Sequence, residues 1–197
     1  MNRTTDTREH ILKTAESLIL GKGFAAVGLG PILSAAGVPK GSFYHWFPSK
    51  EAFGVALLER YFERYLESLD ERFGSAAGTG RARVLGYFAD WMDRQRDGGC
   101  AQQCLAVKLA AEVADLSEPM RQALEVGTRR ITARIAGALQ AASQDGSLPA
   151  GADPASLAVT LYTLWIGASV LTKAQRDATP FEAAWAHTLH LLGADLH

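Results

Sequence analysis

The chain has 197 residues, 48% of them hydrophobic and 21% charged, with seven prolines and two cysteines. That composition excludes a disordered chain and a disulfide scaffold, and leaves one domain or two small ones. The net charge of −1 is unevenly spread. Through Lys50 there are six Lys or Arg against three acids, leaving fourteen basic and eighteen acidic residues beyond, the pattern of a basic end that can face phosphates.

The polar start MNRTTDTREH lacks the apolar middle of a secretory leader. Thr5 or Asp6 is placed to cap a first helix with Ile11, Leu12, Ala15, Leu18 and Ile19 on one face, stopped by Gly21–Gly23. Pro31 suits the first turn of a short second helix that Gly37 ends. A third follows Val38-Pro39 and runs through His45. A fourth starts at Pro48-Ser49, with Ser49 as its cap, and continues to about Phe73. The stretch GSAAGTG at 74–80 is a loop. Helices are then predicted over about 81–96, 102–115, 118–143, 154–173 and 180–192, separated by Gly, Pro and Asp breaks. No run alternates as a strand would, and no apolar run approaches the roughly 18–20 residues of a membrane span. The expectation is an all-α protein, cytoplasmic and without a membrane partner. A three-helix helix-turn-helix head over residues 1–50 precedes a body of about six helices over 51–197.

The segment AAGVPKGSFYHWFPSKEAF, residues 35–53, holds the most information. Ala35, Ala36, Gly37 and Val38 supply small residues, a glycine free to take positive φ and an apolar residue, as a tight turn between crossed helices requires. Lys40, Gly41 and Ser42 then place a cation, bare backbone and a hydroxyl at a helix start, an end that favours phosphate. Tyr44 and His45 project next, where a recognition helix meets base edges and backbone. Phe43 and Phe47 can face inward. The segment GVPKGSFYHWFPSKEAFGVALL resembles the hallmark of the tetracycline-repressor (TetR) family, at the usual distance from the N-terminus. The resemblance implies DNA contacts at Lys40, Gly41, Ser42, Tyr44 and His45, and a phosphate contact at Lys50. Family members usually open the second helix with Thr or Ser. Here Gly28-Leu29-Gly30-Pro31 stands instead, and a side-chain phosphate contact is lost. Arg3 and Arg8 either reach DNA from a tail or are solvated.

One head offers few contacts, so a homodimer reading a palindromic double-stranded operator is expected both physically and from the family pattern. The segment Leu157–Ala168 is apolar nearly all round and must be covered on more than one side. Phe181, Ala184, Trp185, Thr188, Leu189 and Leu192 give the final helix a stripe, which makes the last two long helices the expected interface. Cys104 falls in the first turn of its helix, where the dipole lowers a thiol pKa, and Lys108 is four residues on, on the same face. Cys104 is thus either a reactive thiolate or a small buried hydrophobe. The stretch CLAVKLAAEVADLSEPMR, with the VPKGSFYHWF head, resembles the electrophile-sensing, N-ethylmaleimide-responsive subgroup of TetR repressors. That resemblance implies a sensing cysteine at Cys104, a small electrophile or oxidant as inducer, and Lys173 as the lysine to test against an oxidised sulfur. Cys100 is poorly placed to pair with Cys104, because i,i+4 helical geometry does not suit a disulfide. Two alternatives stand beside this. One is a repressor with a non-covalent lipophilic ligand among Trp91, Met92, Met120, Tyr162 and Trp165. The other is a thiol-dependent enzyme, although His10, His45, His187, His190 and His197 form no recognisable pairing motif. Neither a cofactor nor a metal site is expected, since His187 and His190 lack ligand-spaced partners.

Overall fold

A computed structural model of the chain describes residues 3–96 and 105–194. Among these residues there are helices and no strands: α1 (Arg3–Lys22), α2 (Leu29–Ala36), α3 (Lys40–Trp46), α4 (Lys50–Gly74), α5 (Gly80–Arg96), α6 (Leu105–Val113), α7 (Glu118–Gln144), α8 (Pro154–Gln175) and α9 (Thr179–Leu191). The all-α class and the helix order are those predicted. Where local chemistry sets a boundary, sequence and structure coincide. Gly37 ends α2 at φ 62° and ψ 30°, a left-handed conformation that costs an L side chain about 1–2 kcal/mol. Ser49 Oγ accepts the Ala52 N–H at 2.9 Å and starts α4. Several boundaries differ by one or two residues, and two are instructive. Thr5 and Asp6, expected to cap α1, already lie within it. α6 ends at Val113, where the Leu116 and Ser117 amides turn back onto the Val113 carbonyl.

The chain forms two compact units. The first comprises residues 1–63 and 100–127, the second 64–99 and 128–197; α4 and α7 contribute to both. In the first, α1 packs on α2 and α3 around Ile11, Leu12, Ile19, Ile32, Phe43, Phe47 and Phe53, all essentially fully buried. Arg60 is 8% exposed. Its Nε donates to Glu9 Oε1 at 2.6 Å and a terminal nitrogen bonds Glu16, tying α4 to α1.

In the second unit α8 packs on α9, and α5 on α9. An aromatic cluster fills the middle: Phe88 stacks on Trp165 with ring centroids 5.0 Å apart, and Trp165 meets Phe181 at 5.7 Å. Trp165 Nε1 donates to Thr188 Oγ1 at 2.9 Å, and the Thr188 hydroxyl donates on to the Ala184 carbonyl at 2.7 Å. The turn after α7 caps α5: Asp145 Oδ2 accepts the Gly80 N–H at 2.6 Å, and Ser147 Oγ accepts that of Arg81 at 3.2 Å. Gly80 is a glycine for a second reason, since a Cβ there would run into the α7 backbone at Ala142.

The expectation that no stretch approaches a membrane span needs correcting. α8 is 22 residues long, with a mean hydropathy of 1.5 over an 18-residue window, enough to cross a membrane by length and composition. Thr160, Thr163, Ser169 and Thr172 break its apolar runs but bring no charge, so the average stays high. One side is packed through Ala158, Leu161, Tyr162, Trp165 and Ala168. Val159, Val170 and Leu171 on the helix are 57%, 49% and 49% exposed in the single chain.

Candidate nucleic-acid interface

Seven residues are too few for a helix to persist alone, so α3 is held by what it buries. Its buried side chain is Phe43, at 5.2 Å from Phe47 and 5.4 Å from Phe53 by ring centroid. Burial of a ring of that size contributes about 1.5–3 kcal/mol, as much as the few hydrogen bonds of a two-turn helix contribute net. With Phe43 turned in, Lys40, Gly41, Tyr44 and His45 are left exposed and Ser42 half-buried. Tyr44 is 48% exposed, edge-on to Phe43 at 5.5 Å, with the Lys40 ammonium 5.8 Å over its ring. His45 sits edge-on to Trp46 at 4.9 Å. Of the five α3 residues expected to meet DNA, Lys40, Gly41, Tyr44 and His45 therefore form an exposed row, with Ser42 half-buried at its edge.

Lys50 occupies a different environment from the one expected. Its ammonium donates to the Phe24 carbonyl at 3.0 Å and lies 4.8 Å over the Phe24 ring, so a phosphate would have to share it. Gly28 caps α2 with extended backbone and no side-chain bond, in keeping with the loss of a contact there. Arg8 is part of α1, with its guanidinium 5.6 Å over Phe47. The Arg3 side chain lies outside the described residues. His10 Nε2 donates to the Ala36 carbonyl at 3.0 Å and fastens α1 to the end of α2.

The sensing residues are placed unevenly. Cys100 and Cys104 both lie outside the described residues. Lys108 is half-buried on α6, in the first unit, and Lys173 is exposed in the last turn of α8, in the second. The aromatic residues considered for a lipophilic pocket are packed. Trp91, Met92, Tyr162 and Trp165 are buried in the second unit; Met120 belongs to the first, against Gly54. Tyr162 also borders an open groove of about 470 Å³ between α7 and α8, with Thr128, Arg129, Thr132, Ala133 and Val159. No cluster of three or more metal-ligating side chains occurs among the described residues.

Beside the expected site residues stands one that sequence reasoning missed. Glu112, in the last turn of α6, accepts the Phe24 N–H at 3.1 Å through Oε2 and the Ala25 N–H at 2.5 Å through Oε1. A glutamate in AAEVAD reads as a solvated helix position, and nothing local signals a partner nearly ninety residues earlier.

Residues 11–57 match the family described as bacterial regulatory proteins, tetR family, and residues 80–188 match the tetracyclin repressor-like C-terminal domain. The chain is 44% identical to the HTH-type transcriptional repressor NemR of Escherichia coli, over 98% of both chains. It is 35% identical to the transcriptional regulator AcuR of Cereibacter sphaeroides, over 82% of this chain and 74% of that one. Among solved structures it is similar to the reduced form of E. coli NemR, with a TM-score of 0.90 and 43% identity, covering 98% of this chain and all of the other. The exposed row on α3 and the inward Phe43 thus have a family context: this chain belongs to the TetR family of bacterial regulatory proteins, and is a DNA-binding regulator of transcription rather than an enzyme.

Proposed function

We propose that the chain is a homodimeric transcriptional repressor that holds a palindromic operator and releases it when a small electrophile or oxidant modifies Cys104. Residues 1–50 read DNA, and residues 51–197 sense and dimerise. The observation behind the DNA reading is the α3 row: Lys40, Gly41, Tyr44 and His45 are exposed, and Ser42 half-buried, on the helix whose Phe43 enters the core. Lys40 neutralises a phosphate, Tyr44 and His45 meet bases or backbone, and Lys50 divides its donors between Phe24 and phosphate. Acting on DNA, the protein works in the cytoplasm.

Dimerisation uses α8 and α9. The exposed Val159, Val170 and Leu171 of α8 make an apolar face, and Ala183, Ala186, His187 and His190 are exposed on α9. A two-fold contact between such helix pairs sets the two heads against successive major-groove faces about 34–36 Å apart.

The sensing half rests on the likeness to NemR, a repressor whose similar structure is that of a reduced form. The Cys104 thiolate, favoured by the start of α6 and by Lys108 one turn on, adds to an electrophilic carbon and forms an S–C bond. The displaced electron pair takes up a proton. An oxidant instead yields a sulfenic acid, which an amine can convert to an S–N bond with loss of water; Lys173 is the lysine to test for that step. Either product favours a dimer whose heads no longer fit both half-sites.

The test is Cys104→Ser. A duplex enriched from a random library by the reduced wild-type protein serves as operator. The variant is expected to bind it with unchanged affinity and to stay bound when N-ethylmaleimide or hypochlorite is added. Release of the variant by either reagent would remove Cys104 from the mechanism.

A further inference from the structure

We infer that Glu112 is the positioning residue through which α6 holds the DNA-reading head in its operator-binding pose. Both carboxylate oxygens are used, one on the Phe24 N–H and one on the Ala25 N–H. Those two amides belong to the turn joining α1 to α2. Gly23 lets the turn form: it sits at φ 91°, and a Cβ there would come within 2.9 Å of Glu112 Oε2. The same turn is gripped from its carbonyl side by Lys50 of α4, which bonds the Phe24 oxygen and covers its ring. Phe24 in turn fits against Gly54, where a Cβ would lie 2.7 Å from its ring. The turn is thus clamped by an anion on its donors and a cation on its acceptor, from two different helices.

Local helix energetics do not account for Glu112. A carboxylate in the last turn opposes the helix dipole, so the position is unfavourable for α6 taken alone and favourable only for the bonds it makes. Those bonds lead into the reading surface. The turn feeds α2, the His10–Ala36 bond fixes the far end of α2 to α1, and α3 follows within three residues. At 1.5 Å per residue, Leu105 and Glu112 are about 10 Å apart along one rigid helix. A shift at the start of α6, next to Cys104, is therefore delivered to the turn as a displacement of Glu112. This last step rests on the thiol-sensing reading above; the hold on the head in the reduced protein does not.

The experiment compares reduced wild type with E112A, E112D and E112Q, on the library-selected duplex, before and after N-ethylmaleimide. E112A is expected to bind about tenfold more weakly. E112D keeps the charge but falls a methylene short, and binds as weakly as E112A. E112Q keeps one acceptor oxygen but turns an amide N–H₂ on the other backbone N–H, and binds between E112A and wild type. Amide exchange at Phe24 and Ala25 rises in E112A while the rest of the first unit and the melting temperature stay near wild type, which a general loss of stability would not produce. After N-ethylmaleimide, E112A loses less of its remaining affinity than wild type does, because its head is already unlatched. Wild-type binding by E112A with the Phe24 and Ala25 amides exposed overturns the inference, as does global destabilisation of all three variants. Undiminished binding by alkylated wild type would instead sink the thiol reading, with the reduced series still deciding Glu112. If the wild type enriches no duplex at all, DNA reading fails and the latch with it.

Discussion

Replacing Thr188 with Val isolates one buried hydrogen bond under the α8–α9 face. Both Thr188 and Trp165 are fully buried, and the indole N–H meets the hydroxyl at 2.9 Å. Valine keeps the shape and the β-branch but strands the indole N–H without an acceptor. A buried donor left unmade costs about 1–3 kcal/mol. The second bond broken, from the hydroxyl to the Ala184 carbonyl, leaves an oxygen that the helix ladder already uses, and adds little. A loss of about 2 kcal/mol lowers the melting temperature by about 4–8 °C for a chain of this size. The assay is thermal melting at fixed protein concentration, with Trp165→Phe and the double variant completing a cycle. Trp165→Phe loses both the bond and ring volume, so it costs more by itself. In the double variant the stranded N–H is gone, and the coupling should be at least about 1 kcal/mol. A cost below about 0.5 kcal/mol for Thr188→Val, or additive single variants, would refute the assignment of this bond as an anchor of α9 on α8.

Three further outcomes follow from the same geometry. Lys40→Ala should weaken operator binding and lower the slope of log affinity against log salt by about 1, as one phosphate contact does; an unchanged slope takes Lys40 off the backbone. Val170→Glu places like charges in a two-fold apolar contact, each costing several kcal/mol to desolvate, so the dimer constant should weaken more than about a hundredfold in sedimentation equilibrium. Full-strength dimers would move the interface elsewhere. Acid should also erode stability. Hydrogen bonds from Arg121 and then Gln122 pull Glu118 from 4.5 down to about 2. Those from the Gly80 amide and then Ser147 hold Asp145 below its ordinary value. Groups with depressed folded pKa contribute fully above the unfolded value and lose that contribution as pH falls through the folded one. Melting temperature should therefore decline below about pH 4.5, toward about 2, and less steeply in Asp145→Asn.

What the sequence disclosed is what local chemistry controls. Gly37, Pro39 and Ser49 act within four residues of themselves, so the turn, the start of α3 and the start of α4 could be placed from residue type. The inward and outward sides of α3 followed from two phenylalanines four apart. What stayed hidden is bonded across distance. Arg60 reaches Glu9 and Glu16, Asp145 caps a helix that begins 65 residues earlier, and Glu112 serves a turn almost ninety residues away. Each of those charged residues sits where a solvated helix position or loop is the ordinary reading. The bond Lys50 makes to the Phe24 carbonyl, 26 residues back, was hidden for the same reason, since nothing in its own segment signals it. α8 was underestimated because uncharged hydroxyls interrupt its apolar runs without making it polar.

The division of labour on α3 has a bearing on how such a protein can change. The one fully buried side chain of that helix is Phe43, which meets Phe47 and Phe53 beneath it. The positions facing outward contribute little to the core, so they can be exchanged without unfolding the head. On the proposed reading, such a regulator can be redirected to a new control sequence by a few substitutions at Lys40, Tyr44 and His45, while a response sensed in other helices is inherited intact.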